Sequence, residues 1–187
     1  MTVTLLTSQS APTATDADAL VTGVFQGPDG PVLTLGTDEN DLMAGLTALG
    51  ATGKAEEITK IPAGGRLATP VVVAVGLGKE PGPDSAERLA YLERLRRAAG
   101  AAARDLIAAS PGRARRVAVA LPAGEPDEAE AVALGVLLGG YSFRKYRTTG
   151  AAPGDVEATV HTAHEGAVGR ARVLTAPCSR WAPTKAT

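Results

Sequence analysis

The chain has 187 residues, of which 44% are hydrophobic and 21% are charged, a composition that predicts one folded domain and excludes a wholly disordered chain. Lys and Arg number 19 against 20 Asp and Glu, so no overall field attracts a polyanion and nucleic-acid binding would need a local basic patch. Cys178 is the single cysteine, which excludes an internal disulfide framework and a multi-cysteine zinc site. Residues 1–10 lack the features of a signal peptide, and no run of about 18 apolar residues predicts a membrane span. We therefore expect a soluble, cytoplasmic protein with no membrane partner.

The first half of the chain predicts a series of short strands and one helix. Runs of β-branched and apolar residues predict strands, over residues 3–6, 19–25, 31–35, 56–61 and 71–75. The run VVVAV at 71–75 is typical of a strand covered on both faces, whereas 56–61 is predicted as an edge strand. A helix is predicted over 39–49, with Asp38 as its N-cap. Its apolar face is predicted to contain Leu42, Leu46 and Leu49.

The longest predicted helix begins after Asp84. Asp84 is a suitable N-cap, and Glu87 three residues later completes a capping box. An apolar stripe at helical spacing is predicted to face the core, and it consists of Leu89, Leu92, Leu95, Ala99, Ala102 and Leu106. Four arginines are predicted to lie mostly away from this stripe, namely Arg88, Arg94, Arg97 and Arg104. Residues 110–112 (Ser-Pro-Gly) are predicted to end the helix.

The remaining elements continue the alternation of strands and helices. Residues 117–121 (VAVAL) predict a second buried strand, and residues 155–161 predict a last strand. Between them a helix over 127–138 begins near Pro126 with acidic residues in its first turn, and it is apolar nearly all round, so we expect it to be buried. Three glycines near its end would let another backbone approach closely, namely Gly135, Gly139 and Gly140. The alternation and the two-sided apolar strands predict a three-layer α/β domain.

A glycine-containing segment after the first buried strand is a candidate phosphate-binding loop. Residues 76–79 (Gly-Leu-Gly-Lys) follow a strand and precede a helix, where such loops occur. The segment does not match G-x-G-x-x-G, because Pro81 occupies the third glycine position, and it is not a P-loop, because Glu80 stands where Ser or Thr is required. We interpret it as a turn with glycines at positive φ, and nucleotide or ADP-ribose binding is the alternative.

Two groups of basic residues are candidate nucleic-acid contacts. Residues 141–147 (Tyr-Ser-Phe-Arg-Lys-Tyr-Arg) interleave aromatic and basic side chains, as surfaces that bind single strands do. Such residues equally seal the end of a buried helix or form a subunit contact, which is the interpretation we favour. Arg113, Arg115 and Arg116 form a short cluster before a strand, interpreted as a solvated loop. DNA binding by these groups stays an alternative that the net charge does not support.

The two histidines of the chain, His161 and His164, lie three residues apart with Glu165 adjacent. A pair at this spacing can share a metal on a helix, but here a predicted strand ends and no further cluster of ligands accompanies the pair. No Ser, His and Asp set follows a nucleophile-elbow motif. We therefore predict no catalytic, cofactor-binding or metal-ligating residue in this chain.

Three stretches of the chain, in their order and spacing, resemble one family. Residues 71–106 contain a buried strand, the G-L-G-K segment and a long Arg- and Ala-rich helix. Residues 117–122 read VAVALP. In residues 130–148 an apolar, glycine-containing helix runs into a Y-x-F-x-x-Y-R segment. Together they resemble the N-terminal domain of the leucine aminopeptidase (cytosol aminopeptidase) family, over residues 3–174.

The resemblance implies a macro-domain-like mixed sheet flanked by helices, followed in the family by a larger catalytic domain. That domain binds two divalent metals, usually zinc, manganese or magnesium, which activate the water that attacks the N-terminal peptide bond. Family members are typically hexamers whose N-terminal domains help to join subunits, and some members bind DNA. The N-T-D-A-E-G-R-L segment and the lysine-bearing metal-binding motif of the family do not occur here. No catalytic residue is therefore transferred to any position of this chain.

The end of the chain departs from the family pattern. We expect a domain over residues 1–174 and an atypical tail over 175–187, which holds Cys178 and Trp181, with the catalytic domain absent. This departure predicts a frameshift or a truncated gene, which the downstream DNA read in three frames would test. The leading hypothesis is a non-catalytic N-terminal aminopeptidase domain that serves assembly, with other copies or a catalytic domain as partners. The alternatives are a stand-alone macro-like module for nucleotide or ADP-ribose and a DNA-binding regulatory domain.

Overall fold

The computed structural model describes residues 3–35, 40–65, 67–82, 84–109, 115–141 and 155–180, without the side chains of residue 40 and residues 176–180. The strands are β1 (Val3–Ser8), β2 (Ala19–Gly27), β3 (Gly30–Leu33), β4 (Ile58–Pro62), β5 (Val71–Lys79), β6 (Arg115–Ala120) and β7 (Val156–His161). The helices are α1 (Asn40–Ala48), α2 (Ser85–Ala108), α3 (Pro126–Gly139) and α4 (Glu165–Arg180), with a 3-10 turn at Pro12–Ala14. Each strand and helix that the sequence predicts is confirmed, with shifted ends. The predicted N-cap Asp38 and the predicted helix end at 110–112 lie outside the described residues.

All the strands belong to one mixed sheet. Its seven strands have the order β1-β7-β6-β2-β5-β4, and β3 pairs with β2 beside this path. The pairs β1–β7, β6–β7, β2–β6 and β2–β5 are parallel, whereas β4–β5 and β2–β3 are antiparallel. Strand β4 lies at one end of the order, which confirms the edge strand predicted from residues 56–61.

Helices cover both faces of this sheet. In β5, Val73 and Val75 pack into the core cluster that contains buried residues of α2, α3 and α4. Ala74, between them, packs with Leu46 of α1 in a separate cluster. Because alternate residues of a strand face opposite sides of the sheet, α1 lies on the face opposite the other three helices. The predicted three-layer α/β architecture is confirmed.

Two leucines that were predicted to be buried are exposed. Leu49 is 59% exposed because α1 ends at Ala48 and Leu49 belongs to the following turn. Leu89 is 71% exposed. The buried face of α2 is centred near Leu95, and at about 100° per residue Leu89 lies about 120° from that centre, whereas Arg88 lies only about 20° from it. The other predicted apolar positions of α2 follow the buried face, and Leu95, Ala99, Ala102 and Leu106 are fully buried.

The predicted cap of α2 is confirmed, but the capping box is not formed. Asp84 Oδ1 accepts a hydrogen bond from Ala86 N at 3.1 Å. Glu87 instead accepts from Gly82 N at 2.8 Å, so its carboxylate orders the loop before the helix rather than the cap residue itself. Both carboxylates still lie at the positive end of the helix dipole, where they stabilise the first turn.

Glycines bring the backbones of α2 and α3 into contact, as the sequence predicted for the end of α3. A Cβ at Gly135 would collide with Arg96 O of α2 and would lie 2.7 Å from Ala99 Cβ. A Cβ at Gly139 would collide with the main chain of Gly100. A side chain at either position would force the two helices apart.

Gly135→Ala is expected to lower the free energy of unfolding by about 1–3 kcal/mol, because the added methyl group overpacks the contact between helices. The matched control is Gly169→Ala in α4, where an added Cβ meets nothing within 4 Å. That control is expected to raise stability by about 0.5–1 kcal/mol through helix propensity alone. Urea unfolding followed by circular dichroism measures both, and a neutral or stabilising Gly135→Ala would contradict the close approach.

Candidate functional site

The topology places the natural binding crevice of this sheet between β2 and β6. From β2 the chain continues through β3, α1 and β4 to β5 on one side. From β6 it continues through α3 to β7 on the other side. Ligands of open α/β sheets bind outside the carboxyl ends of strands where the connections diverge in this way. The groups at this position therefore decide what the fold can bind.

One side of the crevice is closed by β3. Strand β6 pairs with β2 from Ala19 to Thr22, and β3 pairs with β2 from Val24 onward. Between these two pairings, Gly23 O accepts a hydrogen bond from Thr34 N at 3.0 Å, and Gly23 N donates to Thr34 Oγ1 at 3.1 Å. The main-chain groups of β2 that lie beyond its pairing with β6 are thus hydrogen-bonded within the sheet.

The other side of the crevice holds the N-terminus of α3, whose amide groups are already bound by a carboxylate. Glu128 Oε2 accepts hydrogen bonds from Gly124 N at 3.0 Å and from Glu125 N at 3.2 Å. The residue is 9% exposed. Helix N-termini bind phosphate through such amides, but here the protein's own carboxylate occupies them. Glu125 and Asp127 add negative charge that opposes an incoming anion.

Arg88 of α2 holds this carboxylate in place. Arg88 Nη1 lies 2.9 Å from Glu128 Oε1, and Arg88 Nη2 lies 2.6 Å from Asp127 Oδ1. The hydrogen bond from Arg88 keeps the pKa of the Asp127 carboxyl below its ordinary value of 3.8. Conversely, the hydrogen bond to Asp127 raises the pKa of the Arg88 guanidinium, although partial burial opposes the shift. We call Arg88, Asp127 and Glu128 the interhelix ion-pair cluster.

The ring of Tyr91 packs against the Arg88 guanidinium of this cluster. Its ring is 2% exposed, and the guanidinium carbon of Arg88 lies 5.6 Å from the ring centroid. Arg94 lies over the same ring at 6.0 Å, and Phe25 of β2 approaches it with centroids 6.1 Å apart. Burial raises the pKa of the Tyr91 phenol, as does the nearby charge of Glu128. The phenol therefore stays neutral, and the aromatic face is used for cation–π contacts.

The segment at 76–79 is not a loop, which corrects the interpretation drawn from the sequence. Strand β5 continues through Lys79, and Leu77 is an extra residue in its pairing with β2, since Val24 faces Gly76 and Phe25 faces Gly78. Gly78 has the predicted positive φ, at 74°, but Gly76 does not. Gly76 is required for another reason, because Lys54 O lies where its Cβ would be.

The main-chain groups of this segment have protein partners, so they do not form a phosphate cradle. Gly76 N donates to Glu57 O at 2.8 Å, and Gly78 N donates to Gly53 O at 2.8 Å. Arg94 donates to Leu77 O and to Lys79 O, each at 3.0 Å. The amides that a phosphate would need are occupied by the 53–57 segment, which removes the basis for nucleotide binding by this motif.

The two histidines serve separate structural contacts. The ring nitrogens of His161 lie 2.9 Å from Ser10 O and 3.2 Å from Thr15 Oγ1. His164 Nε2 lies 2.8 Å from Gly124 O, in the loop before α3. These partners fit histidines that tie loops together, and the pair does not fit the two divalent metals that the family resemblance implies. Among the described residues, no group of three or more His, Cys, Asp or Glu side chains is placed to hold a metal ion.

Only part of the candidate nucleic-acid residues can be placed. Arg116 Nη1 pairs with Asp16 at 3.0 Å, and Arg116 N donates to Asp18 at 2.8 Å, so acidic side chains accompany this cluster. Tyr141 is 44% exposed. Arg113 and residues 142–147 lie outside the described residues, and DNA binding stays a prediction.

None of the helices in the described ranges is long and apolar enough to cross a bilayer.

The interhelix ion-pair cluster was missed by the sequence analysis. Arg88 was predicted to lie mostly away from the core, and the acidic residues of α3 were interpreted only as favourable to the helix dipole. The available signal was angular, because Arg88 lies three residues before Tyr91 and seven before Leu95, which puts it in line with the buried face of α2. That Arg88 would meet α3 could not be derived without the packing of the two helices.

Comparisons with known proteins give a consistent result. The model of the "Cytosol aminopeptidase family, N-terminal domain" matches residues 23–150. The "Probable cytosol aminopeptidase" of Streptomyces griseus is 48% identical over 153 residues, covering 78% of this chain and 28% of that protein. A mutant of tomato leucine aminopeptidase superposes with a TM-score of 0.68 at 16% identity, covering 93% of this chain and 36% of that one. The macro domain of ganglioside induced differentiation associated protein 2 has a TM-score of 0.57 at 16% identity, covering 92% and 83%.

The mixed sheet, its flanking helices and the likeness to solved macro domains define a macro-like α/β domain. The chain belongs to the cytosol aminopeptidase family and matches its N-terminal domain. It spans 28% of the length of the Streptomyces griseus relative. At 16% sequence identity, the likeness to these two solved structures shows a shared fold and nothing further.

Arg88→Gln is expected to lower the free energy of unfolding by about 1–3 kcal/mol at neutral pH, because the buried Glu128 carboxylate loses its partner. Since the folded pKa of Asp127 is depressed, its contribution to stability is present above 3.8 and is lost as the pH falls through the folded value. The variant is therefore expected to show a shallower loss of stability on acidification. Urea unfolding at a series of pH values measures this slope.

The control for this prediction is Arg170→Gln, which removes the exposed ion pair with Glu130 at 2.8 Å. Such surface pairs contribute about 0–1 kcal/mol, so little change is expected. Equal effects of the two substitutions on the stability at neutral pH would show that Arg88 is only another surface arginine.

Proposed function

We propose that this chain acts as the non-catalytic N-terminal domain of a cytosol aminopeptidase, located in the cytoplasm, and that it serves subunit assembly. The observation that carries the proposal is the family match at 23–150, together with relatives in which this region is about a quarter of the protein. The removal of N-terminal amino acids would belong to the remaining part of such a parent enzyme. In that part, two divalent metals would supply an activated water.

The residues of this chain support a structural rather than a chemical role. The histidines hold loop carbonyls and a hydroxyl, and the anion-binding position of the fold is occupied by Glu128. Several large apolar side chains are exposed on α3 and α4 or directly after α3, namely Leu138, Tyr141, Val173 and Leu174. Exposed apolar groups that cluster together mark contact surfaces.

The chain also carries an unbroken helix across the proposed domain boundary. Helix α4 runs from Glu165 to Arg180, with no interruption between residues 174 and 175. Its buried stripe of Ala167, Val168 and Ala171 ends before Leu174, which lies at the next position of the same stripe and is 59% exposed. We propose that a partner covers this end of α4 in the assembled protein.

The purified chain is expected to release no product from a leucyl anilide in the presence of added manganese or zinc. The physical reason is that a two-metal site needs clustered carboxylate ligands, and the chain's histidines are committed to loop contacts. Release of the anilide product is measured for the purified chain and, as the positive control, for the Streptomyces griseus relative. Turnover that scales with the chain's concentration and survives further purification would refute the non-catalytic assignment.

A chimera tests the assembly role. Residues 1–174 of this chain would replace the corresponding region of the Streptomyces griseus relative, which is 48% identical over the matched part. The chimera is expected to assemble to the same oligomeric state as the relative, whereas the relative with an unrelated soluble domain in that place is expected to form smaller species. Light scattering after size exclusion measures the mass. If the unrelated domain supports the same assembly, the N-terminal domain is not needed for it.

A further inference from the structure

The two edges of the sheet differ in how they are protected from pairing with another strand. Strand β4 carries Lys60 and Pro62, and Lys60 Nζ pairs with Asp105 of α2 at 2.7 Å. Lysine and proline on an edge strand oppose the addition of a further strand. Strand β1, Val3–Ser8, has no charged residue and no proline, and among the described residues it pairs only with β7. Within the described ranges, β1 is therefore the edge without lysine or proline to oppose a further strand.

The main-chain groups of β1 that face outward can be assigned. Ser8 O accepts from Thr162 N at 2.9 Å, on the side of β7. Leu5 O accepts from Arg172 Nη2 at 2.6 Å, on the opposite side. Because consecutive residues of a strand direct their main-chain groups to opposite sides, Val3, Leu5 and Thr7 present theirs away from β7. Of these outward carbonyls, that of Leu5 is covered by the Arg172 side chain.

The outward main-chain groups of β1 are complementary to the same groups of β1 in a second copy of the chain. A two-fold axis perpendicular to the sheet at Leu5 places two β1 strands antiparallel, with Leu5 opposite Leu5 and Val3 opposite Thr7. All three outward residues then bond to the other copy, and the paired strands themselves carry no charged side chain on either face. With a net charge of −1, two chains also meet little long-range repulsion.

Two exposed apolar side chains, Leu6 and Tyr141, lie at this edge. A Cβ at Gly140, directly after α3, would collide with the Val3 side chain, which places the neighbouring Tyr141 close to the start of β1. The Arg172 bond shows that this part of α4 lies within the reach of one arginine side chain from the middle of β1. Leu6 itself, on the open face of β1, is 40% exposed.

We propose that β1 pairs antiparallel with β1 of a second copy of this chain, so that the two sheets become continuous, and that Arg172 is a removable cap on this edge. The Arg172 side chain leaves Leu5 O when the partner strand arrives, and the outward main-chain groups of β1 become paired. The inference rests on the proposed assembly role and names its contact surface.

Sedimentation equilibrium of the full chain over a series of concentrations tests the pairing, with three variants and their matched controls. Thr7→Pro removes an outward N–H from each copy, which an edge strand tolerates in its own fold, and it is expected to weaken the dimer by about tenfold or more. Thr7→Ala keeps the N–H and is expected to change the dissociation constant by less than about twofold. Circular dichroism establishes that each variant is folded.

Two further substitutions keep the test decisive if Thr7→Pro does not fold. Leu6→Lys is expected to weaken the dimer, whereas Val32→Lys, which changes an exposed residue of β3 remote from β1, is expected to leave it unchanged. Arg172→Ala is expected to tighten the dimer several-fold by freeing Leu5 O, whereas Arg170→Ala, which loses only the contact with Glu130, is not.

A chain that stays monomeric at every concentration, or a dimer insensitive to Thr7→Pro, Leu6→Lys and Arg172→Ala, would overturn the strand pairing. Neither result decides the assembly role, because the chimera measures that role independently. A chimera that assembles normally while the isolated chain shows no β1-dependent dimer would place the assembly contact elsewhere on the domain.

Discussion

The packing of α2 directly on α3, with no side chains between parts of the two backbones, determines the geometry of the rest of the domain. Gly135 and Gly139 of α3 lie against the main chain of α2 at Arg96 and Gly100. This closeness brings Arg88, near the start of α2, within hydrogen-bond distance of both Asp127 and Glu128. At the other end of α3 it seats Gly140 against Val3 of β1. One contact between helices thus positions the ion-pair cluster at one end and the open sheet edge at the other.

The domain shares an architecture with macro domains, but the described amide groups at the crevice are already hydrogen-bonded within the protein. At the point where the connections from β2 and β6 diverge, β3 and Thr34 satisfy the main chain of β2. Glu128 satisfies the amides before α3, and Arg88 fixes Glu128. An anion arriving there would have to displace a carboxylate that is itself hydrogen-bonded and paired, and it would meet Asp127 and Glu125. Similar folds therefore carry no assignment of a ligand without the groups at the site.

Most of the fold could be predicted from the sequence, because strands such as β5 and β6 are uniformly apolar and the helices begin at recognisable caps. The errors have tertiary causes. The segment at 76–79 was interpreted as a turn because glycines commonly end strands, but the 53–57 segment pairs with it and extends β5 through an extra residue, Leu77. Leu89 was placed on the buried face because it is apolar, although its angle around α2 points it outward. The role of Arg88 depends on α3, which no local pattern reports.

The asymmetry of the sheet edges links the fold to the proposed assembly. Lys60 and Pro62 make β4 a poor template for another strand, and Lys60 is anchored by Asp105. At β1 the same protection depends on one side chain, Arg172, which reaches across from α4 to a single carbonyl. An arginine on an exposed helix can move away at small cost, since surface side chains reorient readily, whereas a proline cannot. The domain thus closes one edge permanently and the other reversibly, and the exposed Leu6 and Tyr141 lie at the reversible edge. Such an arrangement keeps a free domain from uncontrolled strand pairing while leaving it able to join a matching surface.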